Sequence, residues 1–171
     1  DRGMQVIVVN PTRIYGPGLR GQSNSVTHMI ELFMKGKWHF IPGNGNSQGN
    51  YVYVEDVING HLLAMQKGRS GERYILGGDN VTYNEFFDLL KDITGLNPQL
   101  YRVPVNILLV WSHSQVILAR ITGKKPMIVP AFVKKLTKNW SLSSDKAKYE
   151  LDYRPSNLED GISNTLQWLQ P

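Results

Sequence analysis

Cysteine is absent from the 171 residues, which excludes disulfides and thiolate metal sites and is compatible with a reducing compartment. No apolar stretch reaches the ~18 residues that suggest a membrane span. The longest, residues 103–121, is interrupted by Asn106, His113, Gln115 and Arg120. The opening Asp1-Arg2-Gly3 lacks an apolar core behind a basic start, so no secretory signal is read there. These absences lead us to expect a cytoplasmic protein with no membrane partner. The four histidines, at 28, 39, 61 and 113, lack metal-ligand spacing, and no metal site is expected. None of the eight tyrosines has a lysine four residues on, and no Ser/His/Asp set or carboxylate pair stands out. No catalytic residue is therefore expected within this chain.

What is present is ordinary for a folded domain: 41% apolar residues and 19% charged, without repeats, low-complexity tracts or a linker between domains. The formal charge of +5 is dispersed, and its densest groups, Lys124-Lys125 and Lys134-Lys135, are short. A solvated basic surface accounts for them, and no nucleic-acid partner is expected.

Residues 4–10 form a β-branched run bounded by Gly3 and Pro11, the pattern of a strand buried on both faces of a parallel sheet. Residues 15–18, Tyr-Gly-Pro-Gly, break the chain into a loop. Val26, Met29, Ile30, Phe33 and Met34 recur at helical spacing, with Ser25 as the expected N-cap and Gly36 as the stop. A glycine- and asparagine-rich turn over 43–49 leads into a strand at 51–54. Because these glycines precede a strand rather than open a helix, they form a turn and not a phosphate loop.

Asp56 is placed to cap a helix over 57–67. Residues 74–76 form a strand, Thr82 and Glu85 a capping box, and Gly95 ends the helix that follows. A strand over 100–103, a helix from Pro104 to about 121 stopped by Gly123, and a helix over 130–137 come next. Ser144 should cap a short helix, and Ser156 with Glu159 should form a second box opening the last one. Trp140 and Trp168 are expected in the core, and Tyr51 and Tyr53 in the sheet. Alternating strands and helices predict an α/β fold.

Four segments resemble a known family in the order in which that family carries them. Val-Ile-Val-Val-Asn-Pro-Thr-Arg-Ile-Tyr-Gly-Pro-Gly (6–18) is similar to the sixth sheet strand and following loop of extended short-chain dehydrogenase/reductases, the NAD-dependent epimerase/dehydratase family. Residues 51–64, beginning Tyr-Val-Tyr-Val-Glu-Asp-Val and ending Gly-His-Leu-Leu-Ala, resemble its substrate-domain strand and helix. Residues 71–82 resemble the next segment, and residues 147–155 with the Trp168 helix resemble its C-terminal end.

The resemblance implies the last strands of a Rossmann-type parallel sheet plus the mostly helical substrate-binding part of such an enzyme. Residues 1–22 would be the sheet strand and ligand loop, and 23–171 mainly the substrate-binding portion. The dinucleotide-binding half, with its glycine loop, serine and Tyr-x-x-x-Lys pair, would precede Asp1. The resemblance further implies NAD or NADP as cofactor. Pro11 and Thr12 would lie beside the nicotinamide, and Ser23 and Ser25 near the pyrophosphate. Arg13 and Gln22 would face a small-molecule substrate. A helix cap alone also explains Ser25, and a strand end alone explains Pro11.

Sugar-nucleotide members commonly carry an arginine just before the Tyr-Val-Tyr-Val strand, where this chain has Gly49-Asn50. Together with residues 10–12 and 71–78, that absence points to dihydroflavonol-4-reductase-like members and an apolar or aromatic carbonyl substrate. The alternatives are a sugar-nucleotide epimerase or dehydratase, and a non-catalytic NAD(P)-binding sensor. The apolar strand at 4–10 is expected to show a bare edge and to favour homo-oligomers.

Overall fold

The structure, a computed structural model, describes residues 3–18, 24–123, 126 and 129–170. Along the chain run β1 (Val8–Pro11), β2 (Arg13–Tyr15), α1 (Ser25–Met34), β3 (Phe40–Pro42), β4 (Gln48–Tyr53), α2 (Val54–Lys67) and β5 (Arg73–Leu76). They are followed by β6 (Asp79–Thr82), α3 (Tyr83–Thr94), β7 (Tyr101–Val103), α4 (Val105–Thr122), α5 (Pro130–Leu136), α6 (Asp145–Leu151) and α7 (Leu158–Leu169). The expected α/β class is what the chain adopts.

Side chains alternate across a strand, and in β4 this alternation builds two cores. Tyr51 and Tyr53 point one way, into a cluster with Tyr15, Phe33, Phe86, Phe87 and Ile162 contributed by β2, α1, α3 and α7. Val52 points the other way, to Val57, Tyr74, Leu76, Leu151 and Tyr153 from α2, β5, α6 and the turn after it. Both edges of β4 are paired, in parallel with β2 (Arg13 opposite Tyr51, Tyr15 opposite Tyr53) and antiparallel with β6. Helix α2 returns the chain from β4 to β5. Gly60 lets it come close, since a Cβ there would stand 2.7 Å from both δ-carbons of Leu76.

At the front of the chain, β1 pairs in parallel with β5 and with no other strand among the described residues. Of the expected residues 4–10 only 8–10 are strand, which continues to Pro11, and Val8 and Val6 remain 38% and 51% exposed. The expected two-faced burial is not found, and among the described residues one edge of β1 is bare, as expected.

Helix boundaries divide by whether their signals are local. Thr82 Oγ1 accepts the Glu85 N–H at 3.2 Å while the Glu85 carboxylate accepts the Thr82 N–H at 2.7 Å, and Gly95 ends α3 at φ 67°, as expected. Gly123, at φ 70°, likewise stops α4. Three expected caps are displaced. Asn24, not Ser25, holds the cap position of α1, and Ser25 is the first helical residue. Helix α2 starts at Val54, so Asp56 lies inside its first turn. Helix α7 is capped by Asn157, which accepts the Asp160 N–H at 2.8 Å. Ser144 does sit at the cap of α6, without a side-chain cap bond. Trp140 and Trp168 are 42% and 39% exposed rather than core residues.

Candidate functional site

Two of the three displaced caps, Asp56 and Ser156, find each other. Asp56 is buried, and its carboxylate accepts the Ser156 N–H at 3.0 Å and the Ser156 hydroxyl at 3.1 Å, a tie across 100 residues that fixes the chain entering α7. Burial pushes its pKa up, and the two Ser156 bonds pull against that shift. Asp79 holds the same corner by accepting the Leu158 N–H at 2.7 Å. Both carboxylates are thus committed to architecture.

Pro11, Thr12 and Arg13 lie together where β1 ends and β2 begins. The Thr12 N–H continues the ladder to the Leu76 carbonyl at 3.2 Å, and its neighbour Pro11 is exposed. Thr12 Oγ1 is shielded from solvent and has no hydrogen-bond partner among the described residues. Buried hydroxyls are normally satisfied, so this one is free to meet a group that the chain does not supply. A C-terminal strand end in a parallel sheet is also where such folds present their ligand crevice.

Arg13 stands on β2 opposite Tyr51. Its Nη1 donates to the Tyr51 and Tyr83 hydroxyls, each at 3.3 Å, and its guanidinium lies 5.5 and 5.9 Å from the two ring centroids. Burial acts to lower its pKa and the Tyr83 and Tyr51 oxygens to raise it; the net shift is upward, so the group stays charged. Burial raises the phenols of Tyr51 and Tyr83, with Arg13 pulling against it, so both stay neutral near pH 7. Among the described residues no carboxylate pairs with Arg13. A half-buried cation supported only by neutral groups is expensive, and an anion or strong acceptor arriving beside it would offset that cost.

Gly49 makes this geometry possible. A Cβ at position 49 would stand 2.6 Å from Arg13 Nη1, so the guanidinium fills the space a side chain there would need. The positive charge expected to be missing near residue 49 is thus supplied from the adjacent strand. Sequence reasoning missed this, because it depends on the β2–β4 register.

It also missed Asn50, which is 1% exposed. Its Nδ2 donates to the carbonyls of Gly78 (3.0 Å) and Leu142 (3.3 Å) and to Asn80 Oδ1 (2.9 Å). Its Oδ1 accepts the Gly78 N–H at 3.1 Å. One buried amide therefore joins β4, the Gly77-Gly78 turn and the segment before α6.

Of the remaining expected site residues, Ser25 is exposed at the start of α1, while Gln22 and Ser23 lie outside the described residues. Asn24 donates from Nδ2 to the Gly16 carbonyl at 3.2 Å, and its Oδ1 is buried without a partner. Thr27 reinforces the contact by accepting the Gly16 N–H at 2.9 Å, which fixes the Tyr-Gly-Pro-Gly loop onto α1. A cavity of about 370 Å³ lies elsewhere, lined by Asp79, Lys148, Asp152, Arg154 and Asn157 among others, and includes none of residues 11–13. Its charged rim does not suit an apolar carbonyl compound. Among the described residues no group of acidic and histidine side chains could hold a metal ion.

Comparison with known proteins bears on the fold and the family. Residues 1–77 match the NAD dependent epimerase/dehydratase family. The chain is 27% identical to a "Putative dihydroflavonol 4-reductase" of Synechocystis, across 99% of this chain and 50% of that protein. It is 25% identical to 3beta-hydroxysteroid-dehydrogenase/decarboxylase isoform 1 of Arabidopsis thaliana, across 96% of this chain and 40% of the relative. Among solved structures, UDP-glucose 4-epimerase of Thermotoga maritima with UDP-glucose superposes with TM-score 0.72 at 28% identity, over 98% of this chain and 47% of that one. The chain spans about half the length of the curated relatives it matches. Over residues 1–77 it is similar to the NAD dependent epimerase/dehydratase family, and nearly the whole chain is similar to one half of such proteins.

Proposed function

We propose that this chain is the substrate-facing portion of an NAD(P)-dependent oxidoreductase that acts on a small apolar or aromatic carbonyl compound, as a dihydroflavonol-4-reductase-like protein would. Residues 1–22 serve as sheet strand and ligand loop, and 23–171 mainly as the substrate-binding portion. Pro11 and Thr12 border the nicotinamide, Ser23 and Ser25 lie near the pyrophosphate, and Arg13 and Gln22 face the substrate. The observation that carries this reading is the Pro11–Thr12–Arg13 segment, where, among the described residues, the Thr12 hydroxyl has no partner and the guanidinium of the next residue has no counter-charge. The fit to a dinucleotide rests on Thr12 Oγ1, an orphan that a bound carboxamide or ribose would satisfy.

The cofactor, NAD or NADP, supplies the hydride when bound. This chain's own residues orient the substrate and hold its polar group at Arg13. The proton reaches the carbonyl oxygen from a tyrosine outside this chain, since Tyr15 and Tyr51 are held neutral by burial and no tyrosine here has the lysine that would lower its pKa. The free edge of β1 takes a further strand, from the rest of the protein or from a second copy.

The test uses a longer protein that contains this chain. Ketone-dependent NAD(P)H oxidation should be present, and R13A should raise KM about tenfold or more through loss of a charge-assisted contact. Turnover by the isolated 171 residues would contradict the reading.

A second reading, a sugar-nucleotide epimerase or dehydratase, is favoured by one observation: the Arg13 guanidinium stands over Gly49, restoring a charge for a phosphate. Tight UDP binding that is lost in R13A would select it.

A further inference from the structure

Helix α4 is an 18-residue helix whose only formal charge is Arg120. It packs by one face, with Leu108 and Ser112 buried and Leu108 meeting Val133 of α5. Its other face is open and, apart from the exposed Ser114, apolar. Ile107, Val110, Trp111, Ile117, Leu118 and Ile121 are 59, 72, 39, 59, 52 and 77% exposed. At 3.6 residues per turn all six fall within an arc of about 120°. A contiguous apolar stripe of this length on a surface helix marks an interaction site rather than scattered exposure.

Charge says what covers it. Between Asp92 and Asp145 the chain has seven Lys and Arg and no Asp or Glu, so this segment alone is more positive than the +5 of the whole chain. Lys124 and Lys125 follow α4 directly in sequence, and Lys134 and Lys135 are exposed on α5, the helix it packs against. An apolar stripe with a tryptophan, flanked by lysines and free of acids, is the composition of a helix lying in a bilayer interface and drawn to anionic headgroups.

We infer that the α4–α5 pair is a docking surface for an anionic lipid bilayer, with α4 lying in the interface plane along its Ile107–Ile121 stripe. The absence of a spanning segment, which led to the expectation of no membrane partner, does not bear on this mode. No helix among the described residues is long and apolar enough to cross a membrane, and a surface-lying helix need not be.

The purified 171-residue chain is mixed with vesicles of phosphatidylcholine alone, or with about a third phosphatidylserine, a content that makes the surface clearly negative. The expected result is co-sedimentation with the anionic vesicles and a blue shift of tryptophan emission that W111F removes. Partition should fall more than tenfold in V110E/I117E, which alters only exposed positions, and likewise in K134E/K135E. Circular dichroism confirms that each variant is folded. Three results would overturn the inference: binding that V110E/I117E leaves unchanged; a dimer that buries the stripe and leaves no vesicle binding; or vesicle binding by this chain that is absent from a longer protein containing it, where the remainder would be covering α4.

Discussion

β4 and β1 are both apolar strands in parallel pairings, yet the molecule treats them differently. β4 has a strand on each edge and a core on each face, and Tyr51, Val52 and Tyr53 are all at or below 5% exposed. β1 has one neighbour and leaves Val8 38% exposed. The difference teaches that an apolar run is buried only where neighbouring strands and helices cover it. The stripe on α4 follows the same logic.

The largest effect should come from the β4 side of this contrast. Phe86→Ala, at a fully buried ring stacked on Tyr51, should cost about 3–5 kcal/mol in urea unfolding, whereas Val8→Ala should cost about 0.5 kcal/mol or less. Equal costs would erase the distinction. Next, Asn50→Leu should cost about 2 kcal/mol, because it leaves the buried polar groups of Gly78 without partners beside a paired strand. Asparagine at position 10 in β1, changed in the same way, should have much less effect.

The smallest effect belongs to the locally specified cap of α3. Thr82→Ala should cost about 1 kcal/mol at neutral pH. The Thr82 N–H and hydroxyl hold the Glu85 carboxyl below its usual range, so the folded state binds a proton less readily than the unfolded chain does. Its contribution is present above the ordinary glutamate pKa and is lost as pH falls through the lowered folded value. Unfolding curves of Glu85→Gln should therefore converge on those of the parent in acid.

How much of this was legible in the sequence follows the same division. The α3 box and the glycine stops of α3 and α4 involve residues within a few positions of each other, and reading along the chain found them. The start of α7 was misplaced by one residue because Ser156 is engaged by Asp56, 100 residues away, which leaves Asn157 to cap. β2, β3 and β6 are three or four residues long, too short to show a period, and went unread. At the candidate site, the family resemblance pointed to Pro11, Thr12 and Arg13, which are consecutive in the sequence. The meaning of Gly49 was not, because its relation to Arg13 exists only once β2 and β4 are in register.

The most direct test is amide hydrogen exchange at β1. The N–H groups of Val8 and Thr12 point to β5, at 3.0 and 3.2 Å from the Glu72 and Leu76 carbonyls, so the alternation of a parallel strand turns the Val9 N–H to the open edge. In the isolated chain Val9 should exchange close to the unprotected rate while Val52 is slow, and in a longer protein that supplies the adjoining strand Val9 should become protected. A Val9 amide as slow as Val52 in the monomeric 171 residues, or one still fast in the longer protein, would contradict the claim that β1 belongs inside a larger parallel sheet.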